Sequence, residues 1–138
     1  MRMVTVIVVL VLASAFGVWR RLADGRVRRV ADAVDATPFA AFGPLGSRAT
    51  IVQFSSTFCA PCRATKAMAR DIVDAMTGVT HVEIDAERHL DLATAHGVQR
   101  TPTVLVLDGR GRLSARIVGV PRRDALIEAL DDRRFENL

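Results

Sequence analysis

Two cysteines, Cys59 and Cys62, are the residues of this chain whose types and spacing best support chemistry. The 138-residue sequence contains only these 2 cysteines. They follow a short apolar run at residues 49–54 and stand where a helical pattern begins, near Ala60. Thiols separated by two residues at a strand-to-helix junction can close a disulfide and reopen it by exchange with another disulfide. The spacing therefore predicts redox chemistry.

The helix start predicts different tasks for the two sulfurs. Unpaired backbone N–H groups and the helix dipole favour negative charge at a helix N-terminus, so a thiolate on Cys59 is stabilised there. Cys62 lies one turn later on the same side, where its thiol can attack the mixed disulfide that Cys59 forms. Pro61 suits the first turn because an N–H there would have no intrahelical acceptor. We expect Cys59 to attack and Cys62 to resolve.

Two less reactive functions for the cysteine pair remain as alternatives. Zinc would need two further ligands, and the sequence contains neither a second Cys-x-x-Cys motif nor a closely spaced histidine pair. The candidate ligands would be His81, His89 and His96. A purely structural disulfide is disfavoured because closing so short a loop removes little entropy from the unfolded chain. We therefore expect no metal site.

The N-terminal segment is predicted to be a membrane anchor. Residues 3–19 carry no charge, and Arg2 and Arg20-Arg21 flank them. This length is at the short end of what spans a bilayer, and Trp19 lies where an interfacial aromatic is expected. The alternative is a cleaved signal peptide with its small-residue site at residues 13–15. Cleavage there would leave an unusually short leader and an apolar stub, so we favour the anchor.

Charge predicts an orientation for that anchor. Basic residues follow the apolar segment at Arg20, Arg21, Arg26, Arg28 and Arg29, whereas only Arg2 and the α-amino group precede it. The positive-inside rule then places the C-terminal region in the cytoplasm. A single short segment can insert either way, so an outward-facing orientation remains open.

The net charge of +4 does not predict nucleic-acid binding. The basic excess is concentrated beside the apolar segment, residues 59–107 are nearly balanced, and there is no aromatic stacking surface. The basic residues are better suited to the head groups of an anionic bilayer.

The remaining pattern predicts strands alternating with helices. The predicted strands are residues 50–54, 79–84, 103–107 and 113–118; the predicted helices are residues 60–76, 90–96 and one that opens with Pro121. Apolar residues of the first of these helices recur at Ala64, Met68, Ile72 and Met76. Such alternation, followed by a hairpin and a helix, predicts an α/β fold with a mixed central sheet flanked by helices.

The chain is predicted to have three parts. These are a membrane anchor at 1–21, a juxtamembrane segment and poorly defined domain start at 22–48, and a domain at 49–138. Within the middle part, residues 25–30 are either an edge strand or a linker. Residues 37–47 are loop or one short helix, because prolines and glycines interrupt them.

Several short motifs follow one another between residues 49 and 131. They are Gln53-Phe54, Phe58-Cys59-Ala60-Pro61-Cys62, Glu83-Ile84-Asp85, the Gly-Val-Gln-Arg-Thr-Pro-Thr run at residues 97–103, and Gly119. In order and nearly in spacing, this combination resembles the thioredoxin family. The resemblance implies a thioredoxin-like three-layer fold without a cofactor, protein disulfide substrates and an upstream protein electron donor.

The resemblance also implies roles for individual residues. Cys59 would be the nucleophile and Cys62 the buried resolving thiol. Pro102 would be the family's cis-proline, opposite the cysteines, and the Thr101 backbone would offer hydrogen bonds to an extended substrate segment. Such a cis X-Pro bond persists only where tertiary structure fixes it.

Three residues around the motif depart from the family pattern. Phe58 replaces a tryptophan, so an apolar wall remains but an indole N–H is lost. Gln53 replaces a buried acid thought to assist proton transfer to the second cysteine, which predicts slower exchange or the use of water. His81 stands where the family has a lysine, and it could titrate near neutrality or be an exposed strand residue.

The pair Ala60-Pro61 indicates the direction of electron flow. It differs by one methyl group from the Gly-Pro of reducing members and lacks the histidine of oxidising ones. We therefore expect a membrane-anchored thiol:disulfide oxidoreductase that reduces membrane-associated protein partners. The alternatives are an outward-facing reductant for cytochrome c maturation or exported thiols, and a redox-weak binding module with the same fold.

Overall fold

The computed structural model describes residues 1–32 and 36–131, and among these it has five helices and five strands. In chain order the elements are α1 Arg2–Ala23, β1 Val27–Asp32, α2 Thr37–Ala40, β2 Ala49–Ser55, α3 Ala60–Ala75, β3 Val79–Asp85, α4 Leu90–Ala95, β4 Thr103–Asp108, β5 Leu113–Val118 and α5 Arg123–Asp131. Each predicted strand and helix is present, and the bounds agree within one or two residues.

The strands form one mixed sheet in the order β1-β5-β4-β2-β3. Strands β2 and β3 are parallel, and every other neighbouring pair is antiparallel. The central strand β4 pairs with β2 through Thr103 and Phe54, and with β5 through Thr103 and Val118. The end of β2, the start of β4 and the end of β5 therefore lie at one end of the sheet.

Helices cover both faces of the sheet, as the predicted three-layer fold requires. One face packs under α3 and α5 and is built on Ile51, Ile72, Val104, Ile117 and Leu126. The other packs under α2 and α4 and is built on Phe39, Val52, Phe54, Ile84 and Leu105. Successive residues of β2 point to opposite faces because side chains alternate along a strand. The predicted fold class is confirmed.

The buried face of α3 only partly follows the four-residue recurrence of its apolar residues. Ala64 is exposed, whereas Cys62, Thr65 and Ala69 are buried together with Ile72. A strict four-residue spacing drifts around a helix that has 3.6 residues per turn, so alternating steps of three and four define the buried stripe.

The two segments whose structure the sequence left open, residues 25–30 and 37–47, each contain a regular element. Residues 27–32 form β1, an edge strand antiparallel to β5, so the edge-strand interpretation of residues 25–30 holds. Within residues 37–47 the chain makes the one short helix α2, whose Phe39 is fully buried. Where the domain begins stays a prediction.

Helix α1 is long and apolar enough to cross a bilayer. Its 22 residues rise about 33 Å, against about 30 Å of bilayer hydrocarbon. None of these described residues is buried, and Arg20 and Arg21 occupy the last turn. A secretory signal sequence has the same properties, so length and composition leave both functions open for α1.

Candidate active site

The cysteine motif and Pro102 meet at one end of the sheet. Strand β2 ends at Ser55, a short turn follows, and α3 begins at Ala60. Pro102 directly precedes β4, whose first residue pairs with the penultimate residue of β2. The antiparallel register of β2 and β4 therefore brings together two segments that are about 40 residues apart in sequence.

The two cysteines form a disulfide, with 2.00 Å between the sulfurs and 5.2 Å between the Cα atoms. Cys59 is the N-cap of α3 and has an extended backbone, and its Sγ accepts the N–H of Cys62 at 3.1 Å. Cys59 is 8% exposed and Cys62 is 3% exposed. An incoming sulfur therefore reaches Cys59 more readily.

The loop that carries Pro102 is tied to the cysteine loop. The Thr101–Pro102 peptide is cis, as the resemblance implied. The hydroxyls of Ser56 and Thr101 are 3.0 Å apart, and the Pro102 carbonyl accepts the N–H of Gly119 at 2.8 Å. Ser56 was not among the predicted site residues, although its position directly after a buried strand was a signal for it.

Apolar side chains around the motif face solvent. Phe58 is 97% exposed, and Ala60 and Pro61 are also exposed. Pro61 lies in the first turn of α3, as predicted from its missing N–H. A phenyl ring held in water beside Cys59 offers an apolar contact to a docking protein.

Gln53 lies beneath the cysteines and has no exposed surface. Its Nε2 donates to the Cys62 carbonyl at 2.9 Å, and its Oε1 lies 3.1 Å from His81 Nε2. Because a carbonyl only accepts, the amide nitrogen must face Cys62 and the amide oxygen must face His81. His81 therefore carries a hydrogen on Nε2. The predicted site residues Gln53 and His81 contact each other, and Gln53 also contacts the motif through the Cys62 carbonyl.

The ion pair between Glu83 and Lys66 lies near His81. Glu83 accepts a hydrogen bond from Ser55 Oγ at 2.8 Å and forms an ion pair with Lys66, the only lysine of the chain. Burial raises the pKa of Glu83, but the hydrogen bonds from Lys66 and Ser55 and the charge of Lys66 outweigh burial and hold that pKa below its ordinary value. This pair could not be predicted from the sequence, because it forms only when α3 lies across β3.

His81 is held neutral at pH 7. Burial lowers its pKa, the charge of Glu83 opposes that change, and the charges of Lys66 and Arg70 add to it. The net direction is downward from 6.5. A neutral imidazole suits its role as a single donor to Gln53 on this side of the ring.

The other two histidines lie on the opposite face of the sheet. His89 and His96 flank α4 and pack against Phe42 and Phe39. Burial and the charge of Arg116 lower the pKa of His96. Within residues 1–32 and 36–131, no group of three or more His, Cys, Asp or Glu side chains is arranged to hold a metal ion.

Stability is expected to fall as the pH drops below about 6.5, the ordinary pKa of histidine. Because the folded pKa of His81 is depressed, the unfolded chain takes up the proton first, so the free energy of unfolding falls until the folded histidine also titrates. Urea unfolding of residues 24–138 at pH 7.5 and 5.5 measures this difference. His81→Gln should make the difference smaller without removing it, because His96 contributes in the same direction. An unchanged difference in His81→Gln would contradict this account.

Comparison with known proteins agrees with this geometry. The thioredoxin family model matches residues 39–132. The chain is 27% identical over 110 residues to mitochondrial thioredoxin-2 of Schizosaccharomyces pombe, covering 76% of this chain and 78% of that protein. It is 28% identical over 88 residues to a thioredoxin of Methanocaldococcus jannaschii, covering 63% of this chain and 98% of that protein.

Solved structures show the same fold. A Nicotiana alata thioredoxin superposes with a TM-score of 0.55 at 30% identity, over 67% of this chain and 77% of that one. Oxidised mitochondrial thioredoxin 3 of Saccharomyces cerevisiae superposes with a TM-score of 0.55 at 24% identity, over 62% of this chain and 79% of that one, which is a likeness of fold alone. With its Cys59–Cys62 disulfide at the start of α3 and a family match across most of the sheet, the chain belongs to the thioredoxin family.

Proposed function

We propose that this protein is a membrane-anchored thiol:disulfide oxidoreductase that reduces disulfides of membrane-associated protein partners. Disulfide exchange on protein substrates is the general activity of the thioredoxin family, and the finer role is our proposal. The observation that carries it is the Cys59–Cys62 disulfide at a helix N-terminus, in which Cys59 is the more exposed of the two residues.

The reaction begins from the reduced pair. The Cys59 thiolate attacks one sulfur of a partner disulfide held beside Pro102, a Cys59–partner disulfide forms, and the other partner sulfur leaves as a thiolate that takes up a proton. Cys62 then loses its proton and attacks Cys59 Sγ. The second partner thiolate leaves, and the chain is left with the Cys59–Cys62 disulfide. Two electrons pass to the partner, and an upstream protein donor must return them.

Backbone groups of α3 stabilise the Cys59 thiolate. The Cys62 N–H already points at Cys59 Sγ, and a charge-assisted hydrogen bond forms when that sulfur is a thiolate. Pro61 lies in the first turn, where its missing N–H leaves no donor unpaired. Stabilising the thiolate makes Cys59 a better nucleophile and leaving group near neutral pH.

The residues around the cysteines favour a protein that reduces its partners over one that oxidises them. Ala60-Pro61 places no cation between the two sulfurs, whereas a histidine there would stabilise the thiolate further and make the disulfide more oxidising. Phe58 directly precedes Cys59, and the Thr101 hydroxyl lies 3.0 Å from that of Ser56; Phe58 and Thr101 are the proposed contacts of the partner chain.

We further propose that α1 anchors the protein with its redox site in the cytoplasm, because Arg20, Arg21 and Arg26 follow the apolar stretch. Anchoring raises the effective concentration of the site near membrane partners. The outward-facing reductant is the second candidate, because α1 also fits a signal sequence.

The redox midpoint of the Cys59/Cys62 pair tests the direction of electron flow. Residues 24–138 are equilibrated with dithiothreitol or glutathione buffers, and free thiols are labelled and counted. We expect a midpoint near the roughly −270 mV of reducing thioredoxins, together with reduction of insulin. A midpoint nearer about −120 mV would show an oxidant. Normal folding without insulin reduction would show a binding module. Cys59→Ser is the inactive control.

A further inference from the structure

The link between α1 and the sheet is short and enters at the redox end. Only Asp24, Gly25 and Arg26 separate Ala23, the last residue of α1, from Val27, the first residue of β1. Val27 pairs with Ile117 near the end of β5, and Val118 at the end of β5 pairs with the residue that follows Pro102. The chain therefore leaves α1, meets the sheet beside the Pro102 loop and then runs away from it.

Contacts of the described residues hold this link in place. The Asp24 carboxylate forms an ion pair with Arg100, which lies two residues before Pro102. Gly25 N–H donates to the Val118 carbonyl at 2.8 Å. Gly25 has φ +74°, and a Cβ there would overlap the Val120 carbonyl oxygen. The link is thus packed against the loop that carries Pro102 and the loop that follows β5.

The link also meets Gly119, whose N–H donates to the Pro102 carbonyl. A Cβ on Gly119, which has φ +90°, would lie 3.3 Å from Asp24 Cβ and 3.4 Å from the Gly25 nitrogen. Gly119 is therefore the single residue that connects the end of the link, at Asp24 and Gly25, to Pro102.

These contacts limit how far the site can stand from a bilayer. From Trp19 to Ala23 a helix rises about 6 Å. Three extended residues then span at most about 10 Å. From β1 across β5 and β4 to β2 are three strand spacings, or about 14 Å. The head-group region itself is about 5–8 Å thick on each side. The redox site therefore lies within about 30 Å of Trp19.

We propose that the Cys59/Cys62 site faces the bilayer and acts on disulfides that lie close to the membrane surface, in proteins that are themselves embedded in the membrane. This inference rests on the proposed function, since it requires that α1 spans a membrane and that the site exchanges disulfides. It holds for either side of the membrane, because the link fixes the site to the end of α1 and not to a compartment.

Charge and surface at this end fit such a partner. Arg20, Arg21 and Arg26 lie at the same end as the site, where they can contact anionic head groups. The exposed Phe58 ring lies beside Cys59 and can pack against a membrane protein. Substrates that extend far into solvent would have to turn back toward the bilayer to reach Cys59.

The test uses the full chain reconstituted in phosphatidylcholine/phosphatidylglycerol vesicles with dithiothreitol as electron donor. The probes are two transmembrane peptides with the same two-cysteine disulfide loop, placed either about five residues outside the bilayer or beyond a helical spacer of about 24 residues, which adds about 36 Å. We expect the near probe to be reduced at least about tenfold faster. Insulin, which is soluble, is the common reference.

Inserting the same 24-residue helical spacer between Ala23 and Asp24 should abolish or reverse the preference while insulin reduction stays unchanged. Asp24→Asn, which breaks the ion pair with Arg100, should lower the preference about twofold. The matched control is Asp131→Asn. It breaks the ion pair with Arg48, which is similarly exposed but stands before β2 at the far end of the sheet.

The two possible failures are distinguishable. Equal rates for both probes in the native chain, with insulin still reduced, would overturn the inference and leave the proposed function intact. No reduction of insulin or of either probe would overturn the proposed function and the inference together.

Discussion

Replacing Cys62 with serine is expected to leave partner proteins covalently attached to Cys59. The Cys59 thiolate still attacks a partner disulfide, because its own sulfur and the helix N-terminus are intact. The serine hydroxyl cannot displace the partner sulfur, so the mixed disulfide persists. Well-oriented intramolecular reactions reach effective molarities of about 10⁵ M, which is about 10⁸ times a millimolar external thiol, so losing Cys62 should lengthen the lifetime of this species by many orders of magnitude.

The measurement is non-reducing electrophoresis of membranes from cells that express the full Cys62→Ser chain. We expect discrete high-mass bands that disappear with dithiothreitol, and mass spectrometry of these bands would identify the partners. The Thr65→Ser chain is a matched control. Thr65 is buried one turn further along α3, and the serine that replaces it keeps the hydroxyl at that position. The Thr65→Ser chain should form no bands.

The Cys59→Ser chain separates the roles of the two sulfurs. Cys62 is only 3% exposed, so its thiol should capture few partners when Cys59 is absent. Bands of equal strength from Cys59→Ser and Cys62→Ser would contradict the assignment of Cys59 as the attacking sulfur. The absence of any trapped protein in Cys62→Ser would count against exchange itself.

The parts of the fold that follow from local pattern could be predicted from the sequence. Strand β5 lies at the predicted residues 113–118, since alternation and the preceding turn define it. The joint position of Cys59, Cys62 and Pro102 was expected from the family resemblance, and the pairing of Phe54 with Thr103 is its structural cause.

The parts that depend on how elements lie across one another were not predictable in the same way. Lys66 and Glu83 belong to different elements, and only the packing of α3 on β3 brings them together. The contact of Asp24 with Arg100 likewise needs β1 at the sheet edge, and the sequence left residues 25–30 open between strand and linker.

Gln53 shows a further limit. Its departure from the family pattern was visible in the sequence, and its loss of a titratable group followed directly. Its partners did not follow, because an amide can face either way. The structure resolves this through the Cys62 carbonyl, which accepts only a donor. Gln53 thus forms a hydrogen bond between β2 and the start of α3 with an uncharged side chain, where the family pattern has an acid.

Replacing the Gln53 amide with a carboxyl, Gln53→Glu, should make the free energy of unfolding strongly dependent on pH. A protonated glutamic acid can reproduce both contacts, since its O–H donates to the Cys62 carbonyl and its other oxygen accepts from His81. An ionised one has no donor and places a charge at a position with no exposed surface. Burial therefore raises the pKa of the new carboxyl.

The sign of the effect follows from proton uptake. Above about pH 4.3, the ordinary pKa of glutamate, the unfolded chain has lost its proton while the folded chain keeps it. The free energy of unfolding, measured relative to the native chain, then falls as the pH rises until the folded carboxyl also ionises. We expect a loss of about 1 kcal/mol or less at pH 5 and of about 3 kcal/mol at pH 8. Urea unfolding of residues 24–138 at both pH values measures it.

Two variants decide whether charge is the cause. Gln53→Met fills a similar volume without either hydrogen bond, so its loss of stability should be nearly the same at pH 5 and pH 8. Gln53→Glu with His81→Gln removes a contacting histidine that can take a proton and neutralise the new carboxylate, so the loss at pH 8 should be larger still. If Gln53→Glu and Gln53→Met instead lost the same stability at both pH values, buried charge at this position would carry no cost. The neutral Gln53 amide would then be no more than one way of filling the space beneath the cysteines.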